Sequence, residues 1–458
     1  MALMESLTQP VDQLQASAEA KTRADRLDSG LLQINSAAGR LSSLRQHWHG
    51  EQPAAYLSQI AADALDYRLR RLSVNFPRLA VLALAERMRL AGVIDQGDNA
   101  ARPLGVEPRA EGLWDALTDA GLLDASTAVI VDRLFYGTGY ATVWATERSR
   151  LTITADNSAT MTHAADPATG EVEYAVRAWS TMAGARSVLY EPDQITHYRQ
   201  PNTTEPTAGN GWVVAGVVDN PLGVVPVVPF VRRVSASDPA TGDSVVRDVL
   251  DLTDAVGKLL ADAMVTSEFY ARPRRWATGL EIEYNEDGTP VDPFGNSRLL
   301  QSEAPDTKFG QFDAARLDGY TDMIATLTQQ IGALTGLPAT YLGLHGDQPA
   351  SADGVKAAEV QLTMRARSES ARMNRGWSDV AWIADAILRT RPAEPAERNR
   401  FRVTWESPEV RTQAQAADAA AKLAGIGIPL AALLADPLGY SPSEAAGIIG
   451  LGVGPVEL

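Results

Sequence analysis

The alternation of apolar and polar residues is most sharply punctuated between Gly336 and Arg391. A helix ends at Gly336–Pro338, because glycine accepts the left-handed conformation after a last turn and proline cannot continue the helix. A loop carries Tyr341 to Pro349, and a new helix starts with Ser351 as N-cap and Asp353 at its positive end. From Ala352 to Arg391 there is no proline, and only Gly354 and Gly376 interrupt good helix formers. Unbroken, that helix would be about 60 Å long. Its ends carry apolar stripes, Val355, Ala358 and Leu362 first, then Trp377, Val380, Ala381, Ala384 and Leu388. Its middle carries Arg365, Arg367, Glu369, Arg372 and Arg375 with few large apolar residues. Such a middle is either a solvated face or a segment that crosses between subunits or lines a polar space.

Upstream, residues 1 to about 40 show no sustained stripe and read as weakly helical or frayed. Leu41, Leu44 and Trp48 lead to a turn at Gly50–Pro53, then to an amphipathic helix over Tyr56–Asn75 that Pro77 ends or kinks, with a continuation over Leu79–Leu90. A Gly/Pro/Asp-rich break spans residues 96–110, and short helices follow over Gly112–Ala120 and Asp124–Phe135. The period then switches to two. Strands are predicted over Tyr140–Thr146, Leu151–Thr154, Glu171–Trp179, Ser187–Glu191, Gln194–Arg199, Trp212–Val218 and Val224–Val231, an antiparallel β-rich region. Pro226 and Pro229 put the last of these at an edge or exit.

Two amphipathic helices flank the next insertion. The first, Asp243 to about Tyr270, sets Val249, Leu252, Val256, Leu259 and Ala263 on one face and Asp251, Asp254, Lys258 and Asp262 on the other. Arg272-Pro273-Arg274-Arg275 breaks it, and Trp276–Phe312 reads as short strands with a hairpin turn at Asn285–Gly288. The second helix, Ala314–Thr335, carries Tyr320, Met323, Ile324, Leu327, Ile331 and Leu334. After the long helix, Phe401–Glu406 is a strand that would return to the β-rich region. The alanine-rich tail gives helices over Thr412–Ala424, Leu430–Ala435 and Pro442–Gly447, the last capped by Ser441 and Glu444.

The totals narrow the chemistry. The 458 residues, 45% of them hydrophobic, suit one elaborated domain or about two to three smaller ones with a sizeable core. The absence of cysteine excludes disulfides, thiol catalysis and Cys-ligated metals, and fits assembly in a reducing cytoplasm. A net charge of −16 disfavours a surface that grips nucleic acid, yet suits a conduit along which DNA must slide. Neither an export signal nor a credible membrane span is visible, so a soluble protein is expected. Gly257-Lys258 lacks the upstream glycine of a phosphate loop, and the five histidines form no His-Glu-x-x-His pair. His47 and His49 flank Trp48 without a third metal ligand. We therefore expect no catalytic, metal or cofactor site.

The run Tyr341-Leu342-Gly343-Leu344, then Pro349-Ala350-Ser351-Ala352-Asp353, Lys356-Ala357-Ala358-Glu359 and a Trp-bearing helix resembles phage portal proteins of the SPP1-type family, particularly those of actinobacterial phages. Trp48, Gly50, Pro53, Asn75, Ala85-Glu86-Arg87 and Gly92 are similar to its N-terminal helical part, and Leu222–Phe230 is also family-like. The resemblance covers about residues 40 to 440. It implies an α+β portal fold: N-terminal helices and wing (1–242), first stem helix (243–272), clip (273–313), second stem helix (314–336), tunnel loop (337–350), long kinked helix with a return strand (351–410) and a short crown (411–458).

By the same resemblance the chain would form a ring of about twelve copies at one capsid vertex in the virion, assembled in the host cytoplasm, with no membrane contact. Double-stranded DNA would pass through its channel during packaging and ejection. Terminase, major capsid protein, scaffold and head-completion or adaptor proteins would be its partners, and it would need no cofactor. Leu342, Leu344, His345, Asp347 and Gln348 are then the tunnel-loop candidates, and Asp251, Asp254, Lys258 and Asp262 the channel-facing stem candidates. Arg274, Arg275, Glu286 and Asp287 are the clip docking candidates. The alternatives are another virion connector or minor capsid protein, or an enzyme with an unrecognised site.

Overall fold

The first helix determines how the β-rich region is covered. In the computed structural model, α1 (Val11–His49) is one helix of 39 residues, a correction to the frayed segment expected over residues 1 to 40. Residues 11–53, 73–97, 111–146, 150–200, 211–271, 275–279, 306–311, 317–344, 352–409, 413–435, 438 and 448–449 are described. Leu27 and Ile34 of α1 pack on Tyr174, Val176, Leu189 and Tyr198, while Leu41 and Leu44 enter the main helical core. Gly30 lies so near the sheet that a Cβ there would be 2.4 Å from Val176 Cγ2. Arg23 and Arg26 both pair with Glu191, whose side chain is fully buried. Tertiary burial holds this helix, as is usual for helices of modest intrinsic propensity.

α2 (Phe76–Ala85) carries Pro77 in its first turn: Asn75 is its N-cap, accepting from Arg78 N at 3.3 Å. The helix stops at Ala85, and β1 (Leu90–Asp95) follows where a longer helix was expected. The predicted Tyr56–Asn75 helix lies outside the described residues. α3 (Glu111–Asp119) and α4 (Leu122–Tyr136) form as predicted. Gly137 ends α4 at φ 90°, and a Cβ there would meet the Gly242 carbonyl carbon at 2.7 Å, so the site demands glycine twice over.

Eight strands follow: β2 (Thr138–Trp144), β3 (Thr152–Asn157), β4 (Met161–Ala165), β5 (Val172–Thr181), β6 (Gly184–Tyr190), β7 (Gln194–Arg199), β8 (Val213–Asp219) and β9 (Val227–Val231). They make two antiparallel sheets, ordered β3-β2-β9 and β4-β5-β6-β7-β8. β9, with its proline, is an edge as predicted, whereas β4 was not foreseen. Alternation along β5 and β6 serves both faces of the larger sheet: Tyr174, Val176 and Leu189 face α1, while Ala175, Val188 and Tyr190 pack with Tyr140 and Val227.

α5 (Leu250–Ala271) begins later than the expected Asp243. The backbone of 243–245 is committed elsewhere, Asp243 N donating to Arg232 O at 3.0 Å and Val245 N to Leu134 O at 2.9 Å. The insertion contains an antiparallel hairpin, β10 (Arg275–Thr278) with β11 (Lys308–Gln311), and α6 (Asp318–Thr335) follows, starting four residues past the expected Ala314. On α6, Ile331 is buried and Tyr320, Ile324 and Leu327 are half-buried, but Met323 and Leu334, expected on the same face, are exposed.

α7 (Ala352–Leu388) is one helix of 37 residues, about 55 Å long. Leu362, Ala366, Met373, Trp377, Val380 and Ala384 line its core side, and Gly376 lets the Phe230 ring lie 4.5 Å from that of Trp377. β12 (Phe401–Trp405) does not join either of the sheets formed by β2–β9, contrary to expectation. It pairs antiparallel with β1, and Arg400 donates to both Asp95 carboxylate oxygens at 2.7 and 2.6 Å. β1, where a helix was expected, offers the edge that β12 joins, and β12 in turn packs on α7. α8 (Gln413–Gly425) and α9 (Leu430–Ala435) match expectation, and the Pro442–Gly447 helix lies outside the described residues. Among the described residues, no helix is long and apolar enough to cross a membrane.

Candidate channel-facing region

α5 and α6 pack together, joined near the hairpin by Thr266 and Tyr320, whose hydroxyls are 3.3 Å apart. The predicted polar stripe of α5 divides into three environments. Asp251 is exposed. Asp254 lies at the α1 contact, its Oδ1 3.0 Å from His47 Nε2. Lys258 and Asp262 pair with each other one turn apart. His47 therefore serves as an α1–α5 link, and among the described residues no group of side chains is arranged to hold a metal. Arg275 begins β10 opposite Gln311, while Arg274, Glu286 and Asp287 lie outside the described residues.

The loop after α6 is anchored at its root. Gly336 closes the helix at φ 76°, and Arg365 of α7 reaches back to donate to Leu334 O at 2.8 Å. A short 3-10 turn spans Ala339–Leu342. Tyr341 donates to Glu359 Oε1 at 3.0 Å, and Arg87 donates to the Tyr341 hydroxyl at 3.0 Å and pairs with Glu359 at 3.1 Å. Leu342 and Leu344 are half-buried, Leu342 against the core beside Gly332. His345, Asp347 and Gln348 lie outside the described residues. Motif reading had noted Arg87, Tyr341 and Glu359 in separate stretches, but only folding makes them one cluster.

The charged middle of α7 is only partly a solvated face. Glu369 is 5% exposed and accepts from Arg133 Nη1 at 2.6 Å, Arg232 Nε at 3.2 Å and Arg372 Nη1 at 3.4 Å. Burial pushes its carboxyl up, but those guanidiniums outweigh burial and hold it below the usual carboxylate range. Arg367 reaches outward to pair with Glu409. Glu369 stood out in the sequence only as part of a charged helix middle, and Arg133 and Arg232 did not stand out at all. The available signal was Arg133 itself, a lone arginine among Val129, Ile130, Val131, Leu134 and Phe135.

The sequence profile described as phage portal protein, SPP1 Gp6-like, matches residues 35–435, from within α1 to the end of α9. This chain belongs to that portal family. It is 29% identical over 391 residues to the portal protein of Mycobacterium phage L5, covering 81% of this chain and 76% of that one. The portal protein of Mycobacterium phage D29 is 28% identical over 392 residues, covering 81% and 77%. A chain from the neck of an empty gene transfer agent particle aligns over 88% of this chain and 96% of its own, at 14% identity and a TM-score of 0.46. Membership sets aside the alternatives of another virion connector or a minor capsid protein. It also gives the buried charge cluster and the anchored loop root a setting: they tie the portal's long helix α7 and the loop before it to residues more than 200 positions earlier, Arg133 being 236 positions from Glu369 and Arg87 254 from Tyr341.

Proposed function

We propose that this portal protein assembles into a ring at one capsid vertex and that DNA enters and leaves through the central hole. The observation that carries the reading is an order of elements within a portal-family chain: α5, hairpin, α6, anchored loop, then the 37-residue α7. In this reading residues 243–272 and 314–336 form the stem, 273–313 the clip, 337–350 the tunnel loop and 411–458 the crown. The clip, with Arg274, Arg275, Glu286 and Asp287, receives terminase and later the head-completion proteins. The ring performs no catalysis, and ATP hydrolysis belongs to the terminase.

Leu342 and Leu344 serve as the root of the tunnel loop, leaving His345, Asp347 and Gln348 to face DNA. Of the acidic stem residues, exposed Asp251 is best situated to repel phosphate, since Asp254 faces His47 and Asp262 faces Lys258. The net charge of −16 suits a channel that must not grip DNA. Negative-stain electron microscopy and light scattering on the purified full chain test the assembly. Rings of about twelve copies with a central hole are expected, and a compact dimer or tetramer without a hole at high protein concentration refutes it.

A further inference from the structure

In so acidic a chain, one internal region holds more arginine than carboxylate. A cleft of about 470 Å³ lies between β4, the residues leading into β9, and α7. Arg133, Arg372 and Arg375 line it. The Arg133 side chain is 1% exposed, and while its Nη1 donates to Glu369, its Nε and Nη2 are buried with no acceptor among the described residues. Buried guanidinium donors are rarely left unmet, so these two point to a missing acceptor.

The surrounding charges do not supply it. Glu369 already serves Arg133, Arg232 and Arg372 together. Arg375 is exposed and pairs with no carboxylate among the described residues, and Arg365 is spent on the Leu334 carbonyl. The two carboxylates that line the cleft both face Arg398: Asp379 accepts from it at 2.8 Å through each oxygen, and Glu171 stands 3.7 Å away. His163 adds no charge near neutrality, since burial pushes it down to about 4. The cleft is therefore net positive, with Val224, Phe230 and Trp382 as apolar wall.

We propose that this cleft binds a small oxyanion, a carboxylate or a phosphate group, through the spare donors of Arg133 together with Arg372 and Arg375. Guanidinium forks match the paired oxygens of either group. The volume is that of a small-ligand site and cannot admit a nucleic-acid duplex, whose major groove alone is about 12 Å wide. The anion comes either free from solution or as an Asp or Glu side chain of a neighbouring copy.

The test is calorimetric titration of the full chain with inorganic phosphate and with succinate, each against sodium chloride of equal ionic strength. Saturable binding at one site per chain is expected. It should weaken at least about tenfold in the Arg372→Ala/Arg375→Ala double variant, whose fold is checked by circular dichroism and melting temperature. Arg372 and Arg375 are exposed helix positions, so the variant should fold. Heat from the isolated chain no greater than the chloride control, or equal affinity in a folded double variant, overturns the proposal. Binding by the isolated chain but not by the assembled ring identifies a neighbour's carboxylate as the native occupant, and binding by both identifies a free anion.

Discussion

Replacing Glu369 by alanine leaves a buried positive cluster with no counter-charge. Arg133 and Glu369 have side chains 1% and 6% exposed and meet at 2.6 Å, and Arg232 shares the same carboxylate at 3.2 Å. Each guanidinium–carboxylate attraction is of order 4 kcal/mol at a separation of about 4 Å and an effective dielectric near 20. Most of that is offset by the cost of removing the ions from water, so the intact cluster contributes little against an apolar replacement. Removing one partner is different. Arg133 has no other hydrogen-bond acceptor among the described residues, so Glu369→Ala should cost about 3–5 kcal/mol.

Glu369→Gln keeps the shape and one acceptor, and should cost roughly half as much. Arg133→Met combined with Glu369→Leu should recover at least about 2 kcal/mol relative to the sum of the single changes. Urea unfolding at pH 7 and fixed protein concentration measures all of these. Because its carboxyl is held below the usual range, the contribution of Glu369 is fully present above its unfolded pKa of about 4.3 and is lost only as pH falls through the lower folded value. Wild type and Glu369→Gln should thus converge only in strong acid. A Glu369→Ala stability within about 0.5 kcal/mol of wild type, the range of ordinary surface changes, would refute the reasoning.

Two further changes test other parts of the packing. Burial, reinforced by Asp156 and opposed by an Asn157 hydrogen bond, pushes Asp132 up to about 7. The folded state therefore loses stability as pH rises from the unfolded value through 7, by at most about 4 kcal/mol at 1.36 per unit and about 2 after allowing for its partial contact with solvent. Asp132→Asn should stabilise the protein by about 2 kcal/mol at pH 8 and by clearly less at pH 5, and an equal gain at both in thermal melts counts against the assignment. Gly30→Ala should destabilise by about 1–3 kcal/mol despite alanine's better helix propensity, because its Cβ would sit 2.4 Å from Val176 Cγ2. Faster tryptic cleavage within α1 would report the loosened helix, and unchanged cleavage with unchanged melting would contradict the close packing.

What the sequence determined by itself was local. Gly336 and Pro338 end α6, the proline-free run after Ala352 makes α7, alternation over 140–231 makes strands, and Pro229 puts β9 at an edge. Backbone sterics and period act within a few residues, so these were legible, and so was the family, carried by motifs around Tyr341 and Lys356. Tertiary structure decided what required a distant partner. α1 is a full helix because its Leu27, Gly30 and Ile34 meet a sheet formed some 140 residues later. α5 starts late because the backbone of residues 243–245 bonds to Arg232 and Leu134. Phe401–Trp405 chose β1, not the sheets of β2–β9. Glu369 reads as one more surface charge until Arg133 and Arg232 enclose it, because burial and electrostatics depend on which atoms meet in space, and sequence spacing does not encode that across 236 residues.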